Sequence, residues 1–136
     1  MINFRCLRFA AASLVLTVLA PLPGYAAQGS WVASAPGVRV AVPERETRSS
    51  PLAAGVSLAS DARIERVRWR FDAPSMQPVG VWLCHPSRCI PLSQSFGESA
   101  ALAGLPASVP LHFVFRLPRG GRAVQINGLQ VITDYR

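Results

Sequence analysis

The sequence predicts an all-β fold, a small antiparallel β-sandwich with one intra-chain disulfide hairpin. Two segments, 63–72 and 111–117, alternate apolar and polar residues with period two, which is typical of strands with one buried face. Short apolar runs separated by turn residues follow one another along the second half of the chain, as expected of a sandwich. Cys84 and Cys89 bracket a Pro-Ser pair that suits a tight turn, so they are placed to link the two strands of a hairpin.

The first 26 residues have the three-part plan of a secretory signal peptide. Arg5 and Arg8 precede an apolar run at 9–20, and small residues at Gly24 and Ala26 predict cleavage after Ala26. A membrane-spanning helix needs about 20 apolar residues, more than this run offers before Pro21 interrupts it. We therefore expect a cleaved signal at 1–26 and a single exported domain at 27–136, with no later segment able to span a membrane.

The predicted mature chain is basic. All 14 basic residues are arginines, and removal of Arg5 and Arg8 leaves 12 against 7 acids, a net charge of +5. An exported chain is not expected to meet nucleic acid, so this charge indicates anionic protein or envelope surfaces as partners. A positive charge of this size also serves solubility alone, and that alternative stays open.

Cys84 and Cys89 are the only cysteine pair after Cys6 leaves with the signal. An oxidising compartment favours a structural disulfide, worth about 2 kcal/mol by the loop-entropy relation. A metal site is the first alternative, but His85 and His112 are the only imidazoles available to complete it. A redox centre is the second, although its usual C-x-x-C spacing is absent. We expect no metal and no cofactor.

The clearest predicted strand spans residues 63–72. Alternation places an apolar row on one face and an arginine row on the other. The apolar row is Val67, Trp69 and Phe71, and the arginine row is Arg66, Arg68 and Arg70. The arginine row is a candidate partner-binding site, although a solvated sandwich strand also presents a charged outer face.

Trp31 stands alone among small residues near the predicted N-terminus of the mature chain. A lone large aromatic in such a segment usually anchors it to the core. The alternative is a contact with a partner, which makes Trp31 a second candidate binding residue. A short strand is expected near 38–42, followed by an exposed loop at 43–58.

The remaining segments complete the expected sandwich. Strands are predicted at 78–84 and 89–92, and a connection at 93–110 contains a possible helical turn at 98–102. In the strand 111–117 the odd-numbered residues should face inward, which leaves His112 on the outer face. Asn127-Gly128 predicts a hairpin between 123–126 and 129–135, with the odd-numbered residues of the second strand on one face.

Catalytic patterns are missing from the sequence. A hydrolytic nucleophile needs a base and a group that orients the base, yet only two histidines are present and no G-x-S-x-G elbow occurs. We therefore predict a protein that is not an enzyme. An envelope glycan-binding module is an alternative function, since Trp31, Trp69 and Trp82 could supply a stacking platform.

Several segments together resemble the FlhE family of flagellar proteins. They are GSWVAS, VRWRF, WLCHPSRC, LHFVFRL and QVITDYR, in this order along the chain. The resemblance implies a β-sandwich in the periplasm, a non-enzymatic flagellar accessory that restrains proton leakage through the export apparatus or premature flagellar assembly. Its implied partner is a flagellar rod or export-apparatus protein. The loop at 43–58 departs from the family pattern.

Overall fold

The computed structural model describes Ala20 and residues 28–136, so the signal peptide predicted at 1–26 lies outside the described residues, apart from Ala20. Residues 28–136 form nine strands and no helix, and thus no helix that could cross a membrane. The strands are β1 (Gly29–Ala35), β2 (Val38–Val40), β3 (Glu46–Arg48), β4 (Ile64–Asp72), β5 (Gly80–His85), β6 (Arg88–Pro91), β7 (Phe96–Ser99), β8 (His112–Arg116) and β9 (Val124–Tyr135).

The strands form two antiparallel sheets. Sheet 1 has the order β1-β9-β4-β7, and β2 continues the β1 edge by pairing with the first part of β9. Sheet 2 has the order β3-β8-β5-β6. The longest strand, β9, therefore lies inside sheet 1 and pairs with three other strands.

The two sheets pack face to face through aromatic side chains. Phe71 of sheet 1 contacts Phe113 and Phe115 of sheet 2 edge to face, with ring centroids 6.1 and 6.5 Å apart. Edge-to-face pairs at these distances add to the stabilisation that burial provides. The predicted antiparallel sandwich is confirmed.

The apolar residues that alternate along 63–72 and 111–117 lie on the buried faces of their strands, as predicted. Val67 and Phe71 of β4 are buried, and Trp69 is half-buried against the core. The inward residues predicted at 111–117 are all fully buried; they are Leu111, Phe113, Phe115 and Leu117. Val114 was expected outside but is only 5% exposed. It lies between Trp82 of β5 and Arg48 of β3, whose long side chains share its face.

The hairpin predicted at Asn127-Gly128 is wrong, because these residues lie within the single strand β9. Gly128 has φ +63°, and the partners of β9 on β4 shift from Arg70↔Gln130 to Asp72↔Asn127. One extra residue on β9 therefore forms a β-bulge, which uses the positive φ that a hairpin turn would also need. The predicted inward face of the second half of β9 is correct, since Leu129, Val131 and Thr133 are buried.

Two further expectations are corrected. The loop at 43–58 contains the strand β3, which pairs with β8. The helical turn predicted at 98–102 is displaced, because Phe96–Ser99 forms the strand β7 along the edge of β4. A hydrogen-bonded turn follows it, in which the Ala103 N–H donates to the Ala100 carbonyl at 3.0 Å. Pairing with β4 satisfies the backbone groups that a helical turn would have satisfied locally.

The predicted disulfide hairpin is present. Cys84 and Cys89 lie opposite each other on β5 and β6 and form a disulfide. His85 follows on the buried side: its Nδ1 accepts a hydrogen bond from the Ser87 backbone N–H at 3.1 Å. Its Nε2 therefore carries the proton and donates to the Pro106 carbonyl at 3.2 Å. The imidazole ties the hairpin to the connection before β8.

A cationic sheet face as the candidate functional site

The outer face of sheet 1 carries the predicted arginine row. Arg66, Arg68 and Arg70 project from β4, between the outward residues of β9 and those of β7. We call this surface the arginine face. Its other members are Phe96 and Glu98 of β7 and Gln130, Ile132 and Asp134 of β9.

Arg66 is paired within the chain, but weakly. Its Nη1 lies 3.4 Å from Glu98 Oε1, and the two side chains are 53% and 57% exposed. An ion pair this open to water contributes little to stability, and the guanidinium can exchange one carboxylate for another at low cost.

Arg68 is held more firmly. Its Nη2 donates to both carboxylate oxygens of Asp134, at 2.9 and 3.2 Å. The Ser30 hydroxyl donates to Asp134 Oδ1 at 2.8 Å, so the network joins β4, β9 and β1. Asp134 thus positions Arg68 over the sheet.

Arg70 has no carboxylate within 4.0 Å anywhere in the part of the chain that the structure describes. Its cross-strand neighbours are Gln130 on β9 and Phe96 on β7. Phe96 is 68% exposed, an unusual state for a phenylalanine. A shallow groove of about 320 Å³ lies here, lined in part by Arg70, Phe96 and Ile132. The groove thus offers an unpaired guanidinium beside an exposed aromatic ring.

Trp31 does not belong to this surface, which corrects its interpretation as a partner contact. Its side chain is 5% exposed, on the inner face of sheet 1, opposite Thr133. The indole Nε1 donates to the Ala107 carbonyl at 3.2 Å. Trp31 is therefore the core anchor that the sequence also predicted.

The three tryptophans do not form a common platform. Trp69 lies on the inner face of sheet 1, and its Nε1 donates to the Gln94 carbonyl at 3.0 Å. Trp82 shares the outer face of sheet 2 with Val114, its partner across the ladder. The stacking platform on which the glycan-binding alternative depends is therefore absent from this arrangement.

The histidines occupy separate surroundings. His85 is buried under the hairpin, whereas His112 is half-buried on the outer face of sheet 2, opposite Cys84. Burial, and secondarily the Arg48 charge, lower the pKa of His112, and Glu46 opposes them in part. Among the residues described, no three His, Cys, Asp or Glu side chains cluster as metal ligands would.

The sequence predicted the arginine row but not the three residues that determine which arginines are paired and what lies beside them. Glu98 and Asp134 are 32 and 66 positions from the arginines they pair with, so no local pattern connects them. Phe96 lies in a segment interpreted as a connection. Phe96 is a single large aromatic residue among Ser, Gln and Gly. That pattern, which also marked Trp31 as a candidate, was the only feature of the sequence that could have indicated it.

The fold and this face define the class of the protein: a small, disulfide-linked β-sandwich with a cationic outer sheet surface. Comparison with known proteins gives its family. The model of the family described as "Flagellar protein FlhE" matches residues 37–136. The chain belongs to the FlhE family of flagellar proteins.

Individual relatives cover most of the chain. The flagellar protein FlhE of Yersinia enterocolitica is 40% identical over 116 residues, 81% of this chain and 83% of its own. The protein of the same name from Escherichia coli K12 is 32% identical over 130 residues, 91% and 98% of the two chains. The crystal structure of FLHE superposes with a TM-score of 0.73 at 33% identity, covering 82% of this chain and 99% of that one.

Proposed function

We propose that this protein is a non-enzymatic flagellar accessory of the periplasm that binds an acidic surface of a rod or export-apparatus component. Binding would restrain proton leakage through the export apparatus or premature flagellar assembly in the periplasm. Membership of the FlhE family supports the flagellar role. The arginine face supports the mode of binding, and its unpaired Arg70 is the observation that carries the proposal.

The chemistry of the face favours an acidic partner with an apolar contact. A guanidinium presents a planar fork that matches a carboxylate with two parallel hydrogen bonds. Arg70 is free to make such a contact, and the weak pair of Arg66 with Glu98 can open to make a second. Phe96, beside Arg70, supplies the aromatic surface that interface centres commonly bury.

The net charge of the domain adds to this local chemistry. The arginine face carries three arginines against two carboxylates, Glu98 and Asp134. Together with the positive net charge of the domain, this excess raises the rate at which an acidic partner is captured, and the contribution falls as salt screens it. Binding is therefore expected to weaken with ionic strength, while the part contributed by Phe96 should persist.

A pull-down from membrane and periplasmic fractions of a flagellated host tests the proposal. The oxidised protein should retain rod or export-apparatus proteins, and a variant with Arg66, Arg68 and Arg70 changed to glutamine should lose them. A matched control changes three exposed arginines elsewhere, Arg39, Arg119 and Arg122, and removes the same charge. The control should retain most of the binding.

Two single variants distinguish binding at the groove of the arginine face from attraction by the overall positive charge. Arg70→Gln and Phe96→Ala alter only the groove and leave both ion pairs of the arginine face in place. Each should weaken capture of the partner at physiological salt. Equal losses in the triple variant and its matched control would refute the assignment of the site. Retention on envelope glycan instead of flagellar proteins would refute the function.

A further inference from the structure

The edge of sheet 1 formed by β1 lacks the features that protect the other sheet edges. β1 pairs only with β9, in an unbroken register from Gly29↔Tyr135 to Ala35↔Leu129. Its seven residues, GSWVASA, include no charge and no proline. A strand of this kind exposes a row of backbone groups to any segment that can pair with it.

The other edges of the described strands are protected. β3 is three residues long and carries Glu46 and Arg48, and β6 carries Arg88 and Pro91. β7 has four residues and includes Glu98, and β2 has three residues and carries Arg39. Short length, charge and proline are the usual means by which sheets avoid pairing at an edge. The contrast singles out β1 as the edge at which a further strand can add.

The side chains of β1 are complementary to a second copy of β1. In an antiparallel pair centred on Val32, the large Trp31 lies next to the small Ala33 of the other copy, and Ser30 is opposite Ser34. Val32 meets Val32 at the two-fold axis. It is 55% exposed in the single chain, so pairing would cover an apolar side chain that water now contacts.

Charge does not oppose this arrangement. β4, which carries the arginine row, is separated from its counterpart in the second copy by β9 and β1 of each chain. Five strand spacings of about 4.8 Å place the two rows roughly 24 Å apart. This distance exceeds the Debye length of about 8 Å at physiological salt, so repulsion between the rows is screened.

We propose that the protein forms a homodimer in which the β1 edges of two copies pair antiparallel about Val32. The two copies of sheet 1 then become one continuous sheet, with both arginine faces on the same side. This inference does not depend on the flagellar function, because it rests on the edge alone. If both hold, the dimer presents two binding faces to one acidic surface.

Two variants and their controls test the dimer. The protein purified after expression of the full chain should show twice the monomer mass by light scattering as its concentration rises from micromolar to millimolar. Val32→Lys places two ammonium groups at the axis and should leave a monomer. Val56→Lys introduces the same charge at a 69% exposed loop position and should leave the dimer intact.

Cross-linking gives an independent readout. Val32→Cys should form an intermolecular disulfide under mild oxidation, because directly opposed residues in an antiparallel pair have Cβ atoms about 5 Å apart. Val56→Cys should not do so selectively. A wild-type protein that stays monomeric at every concentration, with no preferential Val32→Cys cross-link, overturns the proposal. A cross-link to another protein at position 32, without the homodimer, also overturns it.

Discussion

His85 illustrates how one buried polar side chain can hold a short hairpin in place. Its two ring nitrogens contact the Ser87 N–H and the Pro106 carbonyl, and the ring itself is buried. The sequence offered His85 only as a possible metal ligand, since its partners could not be read from spacing. Its observed role is structural.

Replacing His85 with alanine should lower the free energy of unfolding by about 1–3 kcal/mol, because the Ser87 N–H and the Pro106 carbonyl lose their partner and the buried ring is removed. Urea denaturation of the oxidised protein measures the loss. His112→Ala is the matched control at a half-buried site, and its cost should be smaller. Equal losses for the two variants would show that the hydrogen bonds of His85 do not stabilise the hairpin.

His112 should make stability depend on pH. Its folded-state pKa lies below the usual 6.5, so the unfolded chain takes up a proton first as the pH falls. Above pH 6.5 His112 is neutral in both the folded and the unfolded chain, and the free energy of unfolding is highest. As the pH falls from 6.5 to the lower folded-state pKa, the free energy of unfolding decreases.

The test compares denaturation midpoints across this range of pH. His112→Gln should flatten the decline, and Arg48→Gln should reduce it, because removing the Arg48 charge lets the folded-state pKa rise. An unchanged pH profile in the His112→Gln variant would contradict the prediction.

At the scale of strands, β9 shows where local signals mislead. Asn-Gly indicates a residue with positive φ, and Gly128 has one, but a bulge and a hairpin use the same conformation. What distinguishes them is the pairing of the flanking segments: β1 and β2 occupy one side of β9 and β4 the other. Whether Asn127-Gly128 forms a bulge or a hairpin therefore depends on strands that are distant in sequence.

Gly128→Ala should destabilise the protein by about 1 kcal/mol or more, because alanine is strained at φ +63° and its Cβ would lie 2.5 Å from Asp72 Oδ2. Gly128→Asn should cost less, since asparagine tolerates this region better. Gly55→Ala is the control: a Cβ there meets nothing within 4 Å and the φ is ordinary. Thermal unfolding compares all three, and a Gly55→Ala loss as large as that of Gly128→Ala would refute the bulge argument.

The strands that the sequence located best are those that carry their own alternation. β4 alternates from Arg66 to Asp72, and β8 places Phe113 and Phe115 on its inner face, so their positions and inner faces follow from the residues themselves. Val114, which is buried on the outer face, is the exception. β3 and β7 have three and four residues and no alternating apolar pattern. They are strands because β8 and β4 pair with them, which is information that lies outside the segments.

For the molecule as a whole, the inter-sheet aromatic cluster should dominate stability. Phe113 is fully buried and contacts both Phe71 and Phe115. Phe113→Ala should cost about 3–5 kcal/mol through lost burial and the cavity left behind. Phe96→Ala makes the same change on the exposed arginine face and should cost little stability.

Urea denaturation of the two variants, together with partner capture by the folded Phe96→Ala protein, separates the roles of the two rings. A large loss of stability in Phe96→Ala would mean that this ring contributes to the fold. Its exposure would then no longer support a binding role.

The position of β9 in the chain has a consequence for how the protein is made. β9 is the last of the strands in residues 28–136 to be synthesised, yet it lies inside sheet 1 and pairs with β1, about a hundred residues earlier. Sheet 1 cannot assemble around a missing inner strand, so the nascent chain has no complete fold to adopt until β9 has emerged. Such non-local pairing is also slow to form. The strand order thus makes completion of sheet 1 depend on the strand of residues 28–136 that is synthesised last.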